Sequence, residues 1–395
     1  MVKTIASGRP VVFDTADDDI IRITTVKGGT AGNDTYLGTP GNDTFDGGGG
    51  SDTIYGAGGN DVLTTGGGST GSFDLAFGGD GNDTLYGGAD VDTLYGGAGD
   101  DFLFNDGGHS NGEYFDGGAG ADVLYLQLSN LDQPIMIVGG PDDATDGNDY
   151  VQVIGRYEIV RANLGHGDDT FIGGLSAEQA EDGANADVVF GGAGRDVIST
   201  WFGKDVLFGG AGDDALWGGS GDDTIYGGDG TDLLYGGTDV DTLFGGAGTD
   251  HYFWSREDGQ GDQIYDEFRM GGSGDNNGLL VFGIFQPDGT LKPGTGVFES
   301  DFDISDKDGM VRVYDIEDTE PGTDLWRLEI LSGDGVGNYV DFDRRDISQI
   351  ALSDHEAPAG QSVQRYVWDG TGYSYWNGRP GDDIDPATMW PPGGG

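Results

Sequence analysis

The chain has 395 residues, of which 81 are glycine and none is cysteine, and its 71 acidic against 18 basic residues leave a formal net charge of −53. Without cysteine no disulfide framework holds it; without a basic face it offers nothing to nucleic acid or to an anionic membrane surface. No apolar run is long enough to span a bilayer, and the glycines lack the three-residue period of a triple helix. From Gly28 to Gly155 there is no lysine or arginine at all. Such a stretch cannot neutralise itself with ion pairs. It either stays unfolded by self-repulsion or folds around cations.

Residues 1–27 read as a start cap, with Val11-Val12-Phe13 and Ile20-Ile21-Arg22-Ile23 around an acidic turn. A solenoid needs such a cover over its open edge. The opening MVKTIASGRPVVFDTADDD lacks an apolar h-region, so no cleavable signal peptide is expected. Residues 28–125 form a first repeat array. Asp34, Asp43, Asp52 and Asp61 step by nine residues, and Asp74, Asp83, Asp92 and Asp101 do so again after an insert at 66–72. A second insert covers 106–111; Glu113 then stands where an aspartate is expected, nine residues before Asp122. The unit is G-G-x-G-x-D-x-U-x with U large and apolar, and Gly218-Gly219-Ser220-Gly221-Asp222-Asp223-Thr224-Ile225-Tyr226 is a clean copy.

Residues 126–164 break the pattern. Segments 131–138 and 150–154 alternate like ordinary strands, yet Gly147-Asn148-Asp149-Tyr150-Val151 still echoes the unit. The segment reads either as degenerate coils or as an insert. Residues 165–253 form a second array, led by Asp169 and continued by Asp187, Asp196, Asp205, Asp214, Asp223, Asp232, Asp241 and Asp250. Residues 254–290 leave the repeat through Asp262-Gln263-Ile264-Tyr265-Asp266. Residues 291–395 have fewer glycines and apolar runs at 310–316, 325–331 and 339–342, which suggests an antiparallel β cap with a loose Pro- and Gly-rich tail.

The nonapeptide resembles the repeat of the RTX (repeats-in-toxin) family of secreted calcium-binding proteins, and the resemblance covers roughly residues 28–268. It implies an all-β fold, a right-handed parallel β-roll in which two nonapeptides make one coil, closed here by the antiparallel cap. Each coil then adds about 4.8 Å along the axis. Repeats n and n+2 share an ion between stacked turns, so two arrays suggest on the order of a dozen Ca²⁺. The resemblance also implies type I secretion with an uncleaved C-terminal signal, and so an extracellular or cell-surface location.

The residue chemistry agrees with calcium. Glycines permit the positive φ and close backbone approach that the turn needs, and carboxylates with carbonyls make the all-oxygen shell that Ca²⁺ prefers at about 2.3–2.6 Å. Zinc and copper want His or Cys, and the four histidines are scattered at 109, 166, 251 and 355. The acids at the array starts, Asp34, Asp74, Glu113 and Asp169, are expected to lack a stacked partner. Two residues past each aspartate the side chain should point between the strand layers: Phe45, Ile54, Leu63, Leu85, Leu94, Leu103 and Leu124, then Phe171, Val189, Ile198, Leu207, Leu216, Ile225, Leu234 and Leu243, with Ala76 the small exception. So thin an apolar ladder makes the metal structural and couples folding to it.

Other signals weigh less. Aromatics one place further on, such as Tyr55, Phe77, Tyr95, Phe208, Tyr226 and Phe244, fall on the outer faces. They read first as mutual shielding and second as a sticky stripe for self-assembly or for a cell-surface glycan. The Asn-Asp-Thr triplets at 33–35, 42–44 and 82–84 are products of the repeat, and the G-x-S-x-G match at 67–71 is expected by chance in a chain this rich in glycine and has no strand–helix context. The leading functional reading is a secreted, calcium-triggered structural or surface protein, without catalytic residues. A hydrolase with its site in residues 270–395 or in 126–164, with Asp301, Asp303, Asp341 and Asp343 as the acids to test, is the enzymatic alternative. An ice- or glycan-binding module using the Thr35, Thr44, Thr53, Thr84 and Thr93 row is the other.

Overall fold

The fold comes from a computed structural model. It describes residues 28–67, 72–88, 91–105, 112–127, 135–141, 144–154, 159–173, 186–254 and 261–265, and the backbone of the strands that lie outside these ranges. The His109 and His355 positions, Asp301 and Asp303, and the Pro- and Gly-rich tail lie outside the described residues. The chain divides into two compact units, Met1–Thr200 and Trp201–Gly395.

Each repeat folds by the same local rule. In Thr224–Gly230 the threonine and tyrosine face outward, while Ile225 is buried between the strand layers. A strand this short has no stability of its own. It gains it by pairing with the coils before and after, two repeats away, and by burying one face.

In the first unit the described strands form two parallel stacks. One runs from Val2–Thr4 and Ile20–Arg22 through Thr35–Leu37, Thr53–Gly58, Phe73–Asp80, Val91–Ala98 and Tyr114–Ala119. The other runs from Thr44–Asp46 through Val62–Thr64, Thr84–Tyr86, Phe102–Asn105 and Val123–Gln127. The register places the apolar residue of each repeat beside its equivalent: Phe45, Leu63, Leu85, Leu103 and Leu124 make one continuous file. The U residues expected inside, with Tyr36 added, are all essentially solvent-free. The second unit repeats the plan with Leu207, Ile225, Leu243 and Ile264 on one sheet, and Leu216, Leu234 and Tyr252 on the other.

Segment 126–164 pairs in the same parallel order as the repeats around it. Ile135–Val138 joins Tyr114–Ala119 to Val160–His166, and Tyr150–Ile154 joins Val123–Gln127 to Thr170–Ile172. On one edge the acid has gone and an apolar residue takes its place. Val160, buried, donates its N–H to Asp187 Oδ1 (2.7 Å) just as a ladder aspartate does. That is why the sequence reads there as plain alternating strand.

At the C-terminal end each sheet of the second unit gains one more parallel strand and then turns antiparallel. Tyr339–Asp343 pairs parallel with Asp262–Tyr265 and antiparallel with Leu325–Ile330, which pairs antiparallel with Val311–Asp315. Ile347–Leu352 pairs parallel with Gly278–Phe282 and antiparallel with Gln364–Trp368, followed by Tyr373–Trp376. Antiparallel hairpins end a parallel stack without offering the next coil a matching edge.

The core file sets a clear expectation. Leu103→Ala, at a fully buried position, should cost about 2–5 kcal/mol in denaturant unfolding at saturating calcium. Thr84→Ala on the outer face of the neighbouring strand should cost less than about 1 kcal/mol.

Candidate metal sites along the turns

The turn Gly227-Gly228-Asp229-Gly230-Thr231-Asp232 shows how the repeat builds its site. Gly228 and Gly230 have φ of 127° and 145°, a region closed to most side chains. Gly227 has no such φ, but a Cβ there would collide with Asp232 Oδ2 and with the Gly245 carbonyl of the next coil. Carbonyls of Gly210 and Gly212 press equally close on Gly228 and Gly230 from the coil before. The first glycine thus makes room for a carboxylate oxygen and the other two shape the turn.

Hydrogen bonds then lock each turn to its neighbours. Leu233 N–H donates to the Asp214 carbonyl at 2.8 Å, and Gly212 N–H to the Asp229 carbonyl at 2.7 Å. Thr231 N–H donates to Asp213 Oδ1 at 2.8 Å. Asp214 N–H donates to Asp232 Oδ1 at 2.9 Å, and Asp232 N–H to Asp250 Oδ1 at 3.0 Å. One oxygen of every rung is therefore spent on the backbone of the rung before it. The other, Asp232 Oδ2, is buried and has no hydrogen-bond partner.

The same geometry recurs along both units. On one edge of the first unit an unbroken ladder runs Asp43, Asp61, Asp83, Asp101, Asp122, Asp149, Asp169, Asp196, each N–H donating to the next Oδ1 at 2.7–2.9 Å. The other edge links Asp34, Asp52 and Asp74 at 2.8 and 2.6 Å; Asp92 and Asp187 follow further along. In the second unit Asp205, Asp223, Asp241 and Asp262 form one file, and Asp214, Asp232 and Asp250 the other. Every aspartate expected from the period is buried except Asp43, which is half-buried. Oδ2 of Asp52, Asp61, Asp83, Asp101, Asp122, Asp149, Asp169, Asp223 and Asp232 is buried without a hydrogen-bond partner.

Two further aspartates join the ladders beyond those expected. Asp149 lies mid-ladder between Asp122 and Asp169, and Asp262 ends the file of Asp241. The surviving G-x-D of 147–149 and the D-x-U of 262–264 are the signals that mark them. Asp169, expected to stand alone at the head of an array, is flanked on both sides, and Asp34 and Asp74 each have a neighbour through Asp52. Glu113 is buried and accepts from Asn105 Nδ2 at 2.8 Å. A second ladder, on the residue before each aspartate, was not foreseen. Asn33, Asn42, Asn60, Asp100, Asn148 and Asp168 each accept an N–H from the equivalent position one coil on.

The electrostatics follow from burial. Desolvation pushes the Asp149 carboxyl up to about 9; a backbone N–H from Asp122 pulls it back, and the charges of Asp122, Asp169 and Asp146 raise it again. Asp101 and Asp223 reach about 8, and Asp52, Asp122, Asp169, Asp196 and Asp232 about 7, burial leading in each case. Among the described residues no three His, Cys, Asp or Glu side chains converge on one point. Each turn instead offers single carboxylate oxygens among close-packed carbonyls. A buried anionic oxygen with no donor, in an all-oxygen surround, fits a hard divalent cation with a large, flexible shell: calcium.

Elsewhere the outer aromatics are occupied with one another. Tyr55, Phe77 and Tyr95 stack at 5.0 and 4.9 Å with planes 4° and 7° apart, and Phe208, Tyr226 and Phe244 at 4.8 Å, 4° and 5° apart. Ring faces used this way leave only edges outward. The threonine row is broken within the first array, since Leu75 stands between Thr53 and Thr93, and Val62 between Thr44 and Thr84. His166 ends the strand Val160–His166, its N–H donating to Asp146 Oδ2 at 2.8 Å. Asp341 and Asp343 fall on the strand Tyr339–Asp343.

Residues 28–63, 70–103, 77–111, 181–216 and 217–252 match the family model of the RTX calcium-binding nonapeptide repeat. No curated protein matches the chain.

Two outcomes are expected. Carboxyls whose folded pKa lies near 7–9, against about 4 when unfolded, take up protons on folding between those values. In calcium-free buffer the roll should therefore gain stability as pH falls from about 9 to about 4, and lose it as pH rises; far-UV circular dichroism against pH reads this directly. Gly227→Ala, which sets a methyl against Asp232 Oδ2 and the Gly245 carbonyl, should raise the calcium midpoint of folding, whereas Ala211→Gly in a neighbouring turn should move it little.

Proposed function

Starting from an RTX-type calcium-binding repeat protein, we propose that this chain is a secreted structural or surface protein that folds when it meets extracellular calcium. The observation that carries the proposal is the row of buried Oδ2 atoms without a hydrogen-bond partner, at Asp52, Asp61, Asp83, Asp101, Asp122, Asp149, Asp169, Asp223 and Asp232. When bound, calcium supplies the positive charge and the oxygen coordination that these atoms lack. The aspartates at the period positions are the proposed ligands, together with turn carbonyls, in a number on the order of a dozen ions. Asp149 joins them because it shares the geometry of its neighbours.

The chain's own part is electrostatic. In low calcium the stretch from Gly28 to Gly155 holds its carboxylates without a single lysine or arginine. Mutual repulsion and desolvation then oppose the stacked turns and favour an extended, exportable chain. Outside the cell, millimolar calcium matches the affinity class of extracellular calcium modules, roughly 10⁻⁴–10⁻³ M. Residues 291–395 are the proposed cap and carrier of the export signal. No helix among the described residues is long and apolar enough to cross a membrane.

The outer faces are the surface left for a partner. Among the described residues Phe73, Phe190 and Met136 on strands and Val240 in a turn are the most exposed large apolar side chains, at 43–52%. With the stacked ring faces already used, edge contacts between copies suit this surface better than the flat ring-on-sugar contact a glycan would need. Self-assembly is therefore favoured over glycan recognition.

The decisive measurement is circular dichroism of the full chain with calcium and then with excess EGTA at neutral pH. A β spectrum should appear with calcium and collapse with chelator; its persistence in EGTA would falsify the calcium trigger. Asp101→Asn removes one buried charge while keeping the acceptor for Asp83 N–H. It should raise the calcium concentration at the folding midpoint.

A further inference from the structure

The ladder carboxylates are not all in the same state. Inside the first unit Asp92 Oδ2 accepts one backbone N–H, from Gly88 at 2.7 Å; the rungs at which a side-chain donor meets Oδ2 are Asp34, Asp43 and Asp262, at ladder ends. Along the ladders, Oδ2 of Asp61, Asp83, Asp101, Asp223 and Asp232 is buried without a hydrogen-bond partner. At the first described rungs of the first unit it is occupied. Asp34 Oδ2 accepts both the N–H (2.9 Å) and the hydroxyl (2.7 Å) of Thr30. Asp43 Oδ2 accepts both the N–H (2.6 Å) and the hydroxyl (2.9 Å) of Thr39. At the last described rung of the second unit, Asp262 Oδ2 accepts the indole N–H of Trp254 at 2.7 Å, with Trp254 and Asp262 both buried. Oδ1 of Asp262 is taken by the Asp241 N–H at 3.0 Å.

We propose that these three end rungs are held by protein donors in calcium's place, so that Asp34, Asp43 and Asp262 carry no ion in the folded protein. The inference rests on the calcium reading of the inner rungs and sets a boundary to it. A carboxylate oxygen has two lone pairs in its plane. Thr30 and Thr39 each fill both on one oxygen. The indole fills the inward side of Asp262 Oδ2 with a rigid, buried donor that cannot swing away without opening the core. Threonine stands at these turns where the repeat has its second glycine, so the same substitution that supplies the hydroxyl marks the rung. The chemical logic is that of an end: a terminal rung has a ladder carboxylate on one side only among the described residues, and half a set of acidic ligands is better completed by local donors than by an ion.

The consequence is a roll whose metal-dependent middle is bracketed by rungs that form without metal. The test counts bound calcium by equilibrium dialysis of full-length protein at saturating calcium, for the wild type and four variants. Asp83→Asn and Asp232→Asn should each lose at least one ion. Asp43→Asn and Asp262→Asn should keep the wild-type count while melting at a lower temperature, because an amide placed against Thr39 or Trp254 meets donor with donor. If Asp43→Asn or Asp262→Asn loses an ion as Asp83→Asn does, the end rungs are ordinary sites and the proposal is wrong. If Asp83→Asn and Asp232→Asn also keep the full count, it is the underlying calcium reading that fails. Should Asp262→Asn not fold, the calcium-loaded wild type decides by hydrogen exchange at the Trp254 indole N–H. Slow exchange upholds the indole as the partner of Asp262, and exchange at the free rate overturns it.

Discussion

Like charges stacked one coil apart are the constraint that everything else in this protein answers. Successive rungs stand about 4.8 Å apart. At an effective dielectric of about 20 two unit charges at that distance repel by roughly 3 kcal/mol, and a whole domain is stable by only about 5–15 kcal/mol. A handful of ionised neighbours is enough to cancel the fold. Burial first, and the charges of neighbouring rungs after it, push the Asp149 carboxyl up to about 9 and those of Asp101 and Asp223 to about 8. Such a stack exists only with protons, cations or local donors on its oxygens.

The apolar core is organised around that stack and does not compete with it. Each repeat contributes one inward side chain, and the file from Phe45 through Leu63, Leu85 and Leu103 is one residue wide. The outer faces add ring stacking at 4.8–5.0 Å. Both terms grow with each coil added, as does the charge term they must outweigh. Stability is then nearly a sum over neighbouring coils, and what happens at one turn is felt mostly by the next. This is why an oxygen filled by Thr39 can alter the Asp43 rung while Oδ2 of the next rung, Asp61, stays without a donor.

The middle of the first unit shows how the plan tolerates loss. Where the acid file ends on one edge, Ile135, Val160 and Leu164 bury apolar surface in its stead. The opposite edge keeps Asp122, Asp149 and Asp169 in line. One edge held by burial and one by charge still stack in register, because the strand pairing between them is the same.

Much of this was legible in the sequence because the repeat is local. The period of nine fixes which residue turns, which carries the carboxylate and which points inward, so the buried U positions and the buried aspartates could be named one by one. Chain folding alone decided the rest. Asp149 and Asp262 take their place in the ladders by pairing with coils about 20 residues away. The outer Asn and Asp ladder exists only once coils are stacked. Whether an aspartate oxygen waits for a cation or already holds a threonine or an indole depends on contacts across a turn, and no count of residues contains that. Sequence periodicity determined the repeating unit, since its geometry lies within nine residues; the tertiary structure determined the state of each rung, since that is set by the neighbour it stacks on.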